Sequence, residues 1–123
     1  MTEPSERRIE SRIPVRIHAR YRLLYSPDGT PPEPELHNGN NILFNLSRGG
    51  FFLSTKNFLE IGSKVQVEFP LDPVQATVRG VAIVVRANNY NYPTQGRYEY
   101  GFQFGELGIG SREYLDQFVQ LAR

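Results

Sequence analysis

Apolar and polar positions alternate along most of this chain, and they do so with a period of two. Val15, Ile17, Ala19, Tyr21 and Leu23 alternate with Arg16, His18, Arg20 and Arg22. That pattern predicts a half-buried strand whose outer face is almost wholly basic. Shorter strand signals follow at 42–45, 51–54 and 65–69; in the last, Val65, Val67 and Phe69 alternate with Gln66 and Glu68, and Pro70 ends the run. A longer run over 76–87 carries Gly80 near its middle, where a bulge or sharp bend is the usual reason for a strand glycine. Tyr98, Tyr100, Phe102 and Phe104 alternate with Glu99, Gly101 and Gln103 in a final strand.

The period changes once. Tyr114, Leu115, Phe118, Leu121 and Ala122 follow helical spacing, with Ser111 as the expected N-cap and Glu113 in the first turn. Turn-forming residues separate the elements. Residues 26–41 are rich in Pro, Gly and Asn and read as a surface loop with its tip at Pro31 and Pro32. Residues 88–97 read as a second loop. Phe51, Phe52 and the helix are expected in the core. Five or six short strands with bends, closed by one helix, predict an all-β domain built as a small antiparallel barrel.

Composition narrows the setting. A chain of 123 residues is one compact domain. With no cysteine, disulfides and thiolate metal sites are excluded. No run approaches the length of a membrane-spanning helix, and the polar start has no stretch to serve as a signal peptide. The expected protein is soluble and cytoplasmic, with no membrane insertion. The net charge of +1 conceals a polarised chain. Arg7, Arg8, Arg12, Arg16, Arg20 and Arg22 face a single acid, Glu10, in the segment 7–22, so the rest of the chain is net acidic. Nearly all the basic residues are Arg, which is preferred over Lys where planar, bidentate contact with phosphate or stacking on a ring is needed.

The motifs point away from catalysis. His18 and His37 are the only histidines and have no metal-ligand spacing. Ser47 lies on a turn but lacks the glycine two residues earlier that a nucleophile elbow needs, since Asn45 is there. Gly108-Ile109-Gly110 is a lone GxG, best read as a turn feeding the helix. No enzyme, metal or cofactor is expected.

Two other elements can bind. In Asn45-Leu46-Ser47-Arg48-Gly49-Gly50, an amide and a hydroxyl two residues apart share a face if the strand persists to Ser47. The tandem glycines would then permit positive φ and close approach by another molecule. Such a pair can read a purine edge, or it can simply bond its own turn. Arg8 and Arg12, preceded by Arg7, can close on a phosphate and stack on a purine, or remain solvated charge. Arg16, Arg20 and Arg22 can extend the positive field or form a solvated strand face. Tyr90 and Tyr92 in the second loop can meet a protein partner or pack locally.

Taken together, the two elements resemble the PilZ domain family, bacterial receptors for the second messenger cyclic di-GMP. The family's marks are RxxxR ahead of the first strand and [D/N]xSxxG some way beyond it. Arg8 and Arg12 fill the first; Asn45, Ser47 and Gly50 fill the second; Arg7 matches a frequent extra arginine. The VxVxF run at 65–69 and GFQF at 101–104 extend the resemblance over roughly residues 6–118. Two features depart from it: Asn45 stands where many members carry Asp, and the Pro-rich loop lengthens the gap between the motifs. The resemblance implies a six-stranded antiparallel barrel with a C-terminal α-helix over 14–123, preceded by a flexible arginine-bearing arm at 1–13. Arg8 and Arg12 would clamp phosphates and stack on guanine, with Arg7 assisting and Pro14 as the hinge. Asn45 and Ser47 would bond a guanine edge, and Gly50 would let the turn pack under the base. The implied function is a non-enzymatic receptor that orders its arm on cyclic di-GMP and relays the change to an unidentified downstream protein. The alternatives are a PilZ-like interaction module without nucleotide, and a small basic barrel binding single-stranded nucleic acid. The second of these lacks aromatics interleaved with its basic strand.

Overall fold

The computed structural model describes residues 12–72, 75–88 and 96–122. Six strands, β1 (Ile13–Tyr25), β2 (His37–Leu46), β3 (Gly50–Thr55), β4 (Lys64–Leu71), β5 (Ala76–Ala87) and β6 (Tyr98–Leu107), precede one helix, α1 (Ser111–Leu121). Every neighbouring pair is antiparallel, in the order β1-β2-β3-β6-β5-β4, and β4 returns to β1 to close a barrel. Closure pairs the edge strands, which would otherwise present free backbone groups to other chains. Among the described residues no helix is long and apolar enough to cross a membrane.

Alternation explains the core. Val65, Val67, Phe69 and Leu71 of β4 all point inward and are buried. In β1 the same pattern buries Ala19, Tyr21 and Leu23, whereas Ile13, Val15 and Ile17 are only half-buried. Phe51 stacks on Phe102 with ring centres 4.8 Å apart and leans on Phe104 and Phe69 at 5.2 and 6.0 Å. Helix α1 lays Leu115, Phe118 and Val119 against the barrel, each worth about 1.5–3 kcal/mol of apolar burial. Gly80 behaves as its position predicts: the β5–β6 register shifts between Gly80 and Ala82. A Cβ at Gly80 would stand 2.8 Å from the Glu106 carbonyl oxygen.

The structure differs from the sequence expectations at five places. Strand β2 starts at His37, inside the segment read as loop, because Asn41 is buried and fully used. Thr55 Oγ1 donates to Asn41 Oδ1 at 2.8 Å, so Tyr21 OH must donate to Thr55 at 3.2 Å; Asn57 Nδ2 donates to Tyr21 OH at 3.0 Å. Asparagine favours turns, but a satisfied amide sits well inside a barrel. Strand β4 runs through Pro70 to Leu71, where a missing N–H near the strand end is tolerated. The helix N-cap is Gly110 at φ 84°, not Ser111. The Ser111 hydroxyl instead accepts the Arg79 N–H at 3.0 Å, while Gly108 N–H donates to the Arg79 carbonyl at 2.7 Å, docking the helix start on β5. Phe52 is half-buried on the outer face, since neighbours in a strand cannot both face inward. Leu121 is largely exposed, and Val119 takes the buried position instead.

Candidate functional site

Ladder partners form a single row across the barrel's outer face: Pro14 beside Asn45, Asn45 beside Phe52, Phe52 beside Gly101, and Gly101 beside Arg86. Register shifts fall next to this row in three strand pairs, between Pro14 and Ile17, between Leu43 and Asn45, and between Val84 and Arg86. Bulges of this kind re-aim side chains. The consecutive Val85 and Arg86 both face solvent as a result, while Val84 stays in the core.

A cleft of about 290 Å³ opens over the row, walled at one end by the turn from Leu46 to Gly50. Arg12, Asn45, Ser47, Gly50, Phe52, Arg86, Gly101 and Gln103 are among its lining residues. Its charged side chains among the described residues are both arginines, so the lining is cationic. The Arg12 guanidinium lies over the Phe52 ring, 4.9 Å from its centre, a cation–π contact that holds the last residue before β1 across the floor. Phe44 meets Phe52 edge-on at 5.9 Å and fixes that ring.

Asn45 carries the most telling atom. Its Oδ1 is buried and has no hydrogen-bond partner among the described residues. Ser47 is occupied differently. Its hydroxyl accepts the Gly49 N–H at 3.3 Å and donates weakly to the Gly50 carbonyl at 3.4 Å. For Ser47, then, the turn-forming alternative describes the structure; for Asn45 it does not. Neither Gly49 nor Gly50 has a positive φ. Gly50 is needed for another reason, because a Cβ there would lie 2.0 Å from the Phe102 carbonyl oxygen. That close approach is made by β6.

The turn is also tied to the helix. Arg48 Nε donates to Asp116 at 2.7 Å, and Arg112 Nη1 donates to the Arg48 carbonyl at 2.7 Å. Of the residues singled out from sequence, the structure brings Arg12, Asn45, Ser47 and Gly50 around one cleft. Arg7 and Arg8 lie outside the described residues, as do Tyr90 and Tyr92. The basic face of β1 is partly engaged elsewhere: Arg20 pairs with Glu68, which Arg79 also meets at 2.8 Å, and Arg22 donates to Gln66 at 2.6 Å. Sequence reasoning missed Phe52, Arg86 and Gln103 as site residues. The one available signal was Arg86 itself, a charge breaking the apolar run of β5. Among the described residues no group of His, Cys, Asp or Glu is placed to hold a metal.

A family model described as PilZ domain matches residues 5–121. No curated protein matches the chain. Among solved structures, the chain is similar to the Bacillus subtilis inhibitor of motility MotI/DgrA, with a TM-score of 0.66 and 16% identity over 94% of this chain and 50% of that one. It is similar to the PilZ domain of YcgR from Escherichia coli with c-di-GMP, with a TM-score of 0.60 and 15% identity over 94% of this chain and 91% of that one. It is similar also to the K. pneumonia MrkH–c-di-GMP complex, with a TM-score of 0.61 and 15% identity over 92% of this chain and 50% of that one. The chain therefore spans half the length of MotI and of MrkH. Identities this low speak for a shared fold.

Proposed function

Since the chain belongs to the PilZ domain family, we propose that it is a non-enzymatic receptor that binds cyclic di-GMP in the cleft over β2, β3, β6 and β5. The observation that carries this reading is the Asn45 oxygen: a buried acceptor without a donor among the described residues, beside a cationic cleft. Guanine supplies the missing donors through its N1 and N2 hydrogens. Arg8 and Arg12 clamp the phosphates and stack on the base, and Arg7 assists. Ser47 exchanges its long bond to Gly50 for one to the guanine edge, and Gly50 keeps the turn low beneath the base by packing on Phe102. That two of the similar structures contain c-di-GMP supports the choice of ligand.

Arg12 already lies on Phe52 immediately before β1, and Pro14 is paired with Asn45 inside that strand, so the hinge of the arm is placed at Arg12 and not at Pro14. The energies suffice. Charge-assisted hydrogen bonds of about 1.5–3 kcal/mol each and a cation–π contact of up to about 2 kcal/mol exceed the cost of ordering a short arm. Together they reach the roughly 8 kcal/mol of micromolar binding. The relay to a downstream protein runs through the turn at 47–50, which Arg48 and Arg112 link to α1. We place the protein in the cytoplasm, where a diffusible messenger reaches it.

Titration calorimetry tests the reading. Wild type should bind cyclic di-GMP, Arg8→Ala and Arg12→Ala should each weaken binding about tenfold or more, and Ser47→Ala should weaken it less. Absence of heat at tens of micromolar ligand would overturn the assignment.

A further inference from the structure

Asn45 leaves the choice of base open. An amide offers both an acceptor and donors, so it can meet the Watson–Crick edge of guanine or hydrogen-bond with adenine. A carboxylate at this position would accept only. If the cleft prefers guanine, another group must supply the discrimination.

We infer that Arg86 is the base-specificity residue of the cleft, donating its guanidinium fork to O6 and N7 of a guanine whose other edge rests on Asn45. The inference builds on the cyclic di-GMP reading given above. Arg86 lies in the same ladder row as Asn45, three strands away. Both residues line the one cleft, so a flat bicyclic base can lie between a short amide arm and a long guanidinium arm. Gly101, beside Arg86 in the row, adds no side chain to the space between them. A Cβ there would lie 3.4 Å from both the Arg86 Cβ and the Phe52 ring. Phe52 in turn carries Arg12 on its ring, so the floor has a guanidinium at either end.

The chemistry selects guanine. Arginine has five donors and no acceptor. Guanine presents two acceptors, O6 and N7, on one edge, whereas adenine places an amine donor beside its N7. The fork therefore complements guanine and meets adenine donor to donor. Arg86 is exposed, and no hydrogen bond or ion pair engages it among the described residues, so its donors are available. The bulge that exposes Val85 and Arg86 together is what aims the side chain at the cleft.

A cycle of two proteins and two ligands tests this. Wild type and Arg86→Ala are titrated with cyclic di-GMP and with its 7-deazaguanine analogue, which keeps the phosphates and O6 but lacks the N7 acceptor. Arg86 is exposed, and unchanged circular dichroism and melting temperature check that the variant folds. The expected result is a loss of about tenfold in wild type on going to the analogue, and a change within about twofold in Arg86→Ala. Arg86→Lys should resemble Arg86→Ala, because an ammonium lacks the planar fork. Equal losses in both proteins would overturn the inference and leave the ligand assignment standing, since Arg86 would then act only as a charge near phosphate. The inference fails equally if Arg86→Ala binds cyclic di-GMP as tightly as wild type. If wild type binds neither ligand, the ligand assignment itself falls and takes this inference with it.

Discussion

Asn45 holds a buried polar oxygen to which the described residues offer no hydrogen bond. A buried acceptor without a partner costs about 1–3 kcal/mol, so the residue is expected to serve binding at some expense of stability. Asn45→Ala should therefore leave the denaturation midpoint unchanged or raise stability by up to about 1 kcal/mol, while cyclic di-GMP affinity falls about tenfold. A clear loss of stability would instead show that Asn45 holds its turn together. Gly50 is the reverse case. With the Phe102 carbonyl oxygen 2.0 Å from the position of a Cβ, Gly50→Ala should cost about 3 kcal/mol or more, read as a lower urea midpoint. Its loss of binding would follow from the loss of fold. Asn45 and Ser47 were legible in the sequence because their relation is local. Phe52 and Arg86 were not, because what brings them together is a ladder row spanning β3, β6 and β5.

Between elements, polar groups do what the apolar alternation does not reveal. Asn57, Tyr21, Thr55 and Asn41 form a hydrogen-bonded chain joining β1, β2 and the end of β3. Burial pushes the Tyr21 hydroxyl above its ordinary 10.0. A raised pKa means that the stabilisation is fully present below pH 10.0 and is lost as pH rises beyond it. Melting temperature should thus fall above pH 10.0, and less steeply in Tyr21→Phe. That variant should cost about 1 kcal/mol near neutrality for its lost hydrogen bonds. An identical alkaline profile would show that Tyr21 does not govern the transition. This network also explains why β2 was read too short: the Asn-rich text at 37–41 looks like loop until Thr55, distant in sequence, supplies its donor. At the other end, Arg48–Asp116 joins two exposed side chains, and Asp116→Ala should change stability by no more than about 1 kcal/mol.

For the molecule as a whole, strand alternation was enough to read an all-β barrel with a closing helix. Closure itself required pairs such as Arg20 with Glu68 that no local pattern shows. The same pairing alters the charge picture. Arg20 and Arg22 of the positive segment are engaged by Glu68 and Gln66 of β4, whereas Arg12 stands at the cleft. That arrangement favours one small dianion over a long polyanion. Backbone amide resonances, followed while cyclic di-GMP is titrated into the full chain, test the location of binding most directly. The account predicts saturable shifts at residues 45–52, 85–86 and 101–103, together with those of the arm through Arg12. Unmoved resonances, or shifts centred on Arg16, His18 and Arg20 of β1, would contradict it.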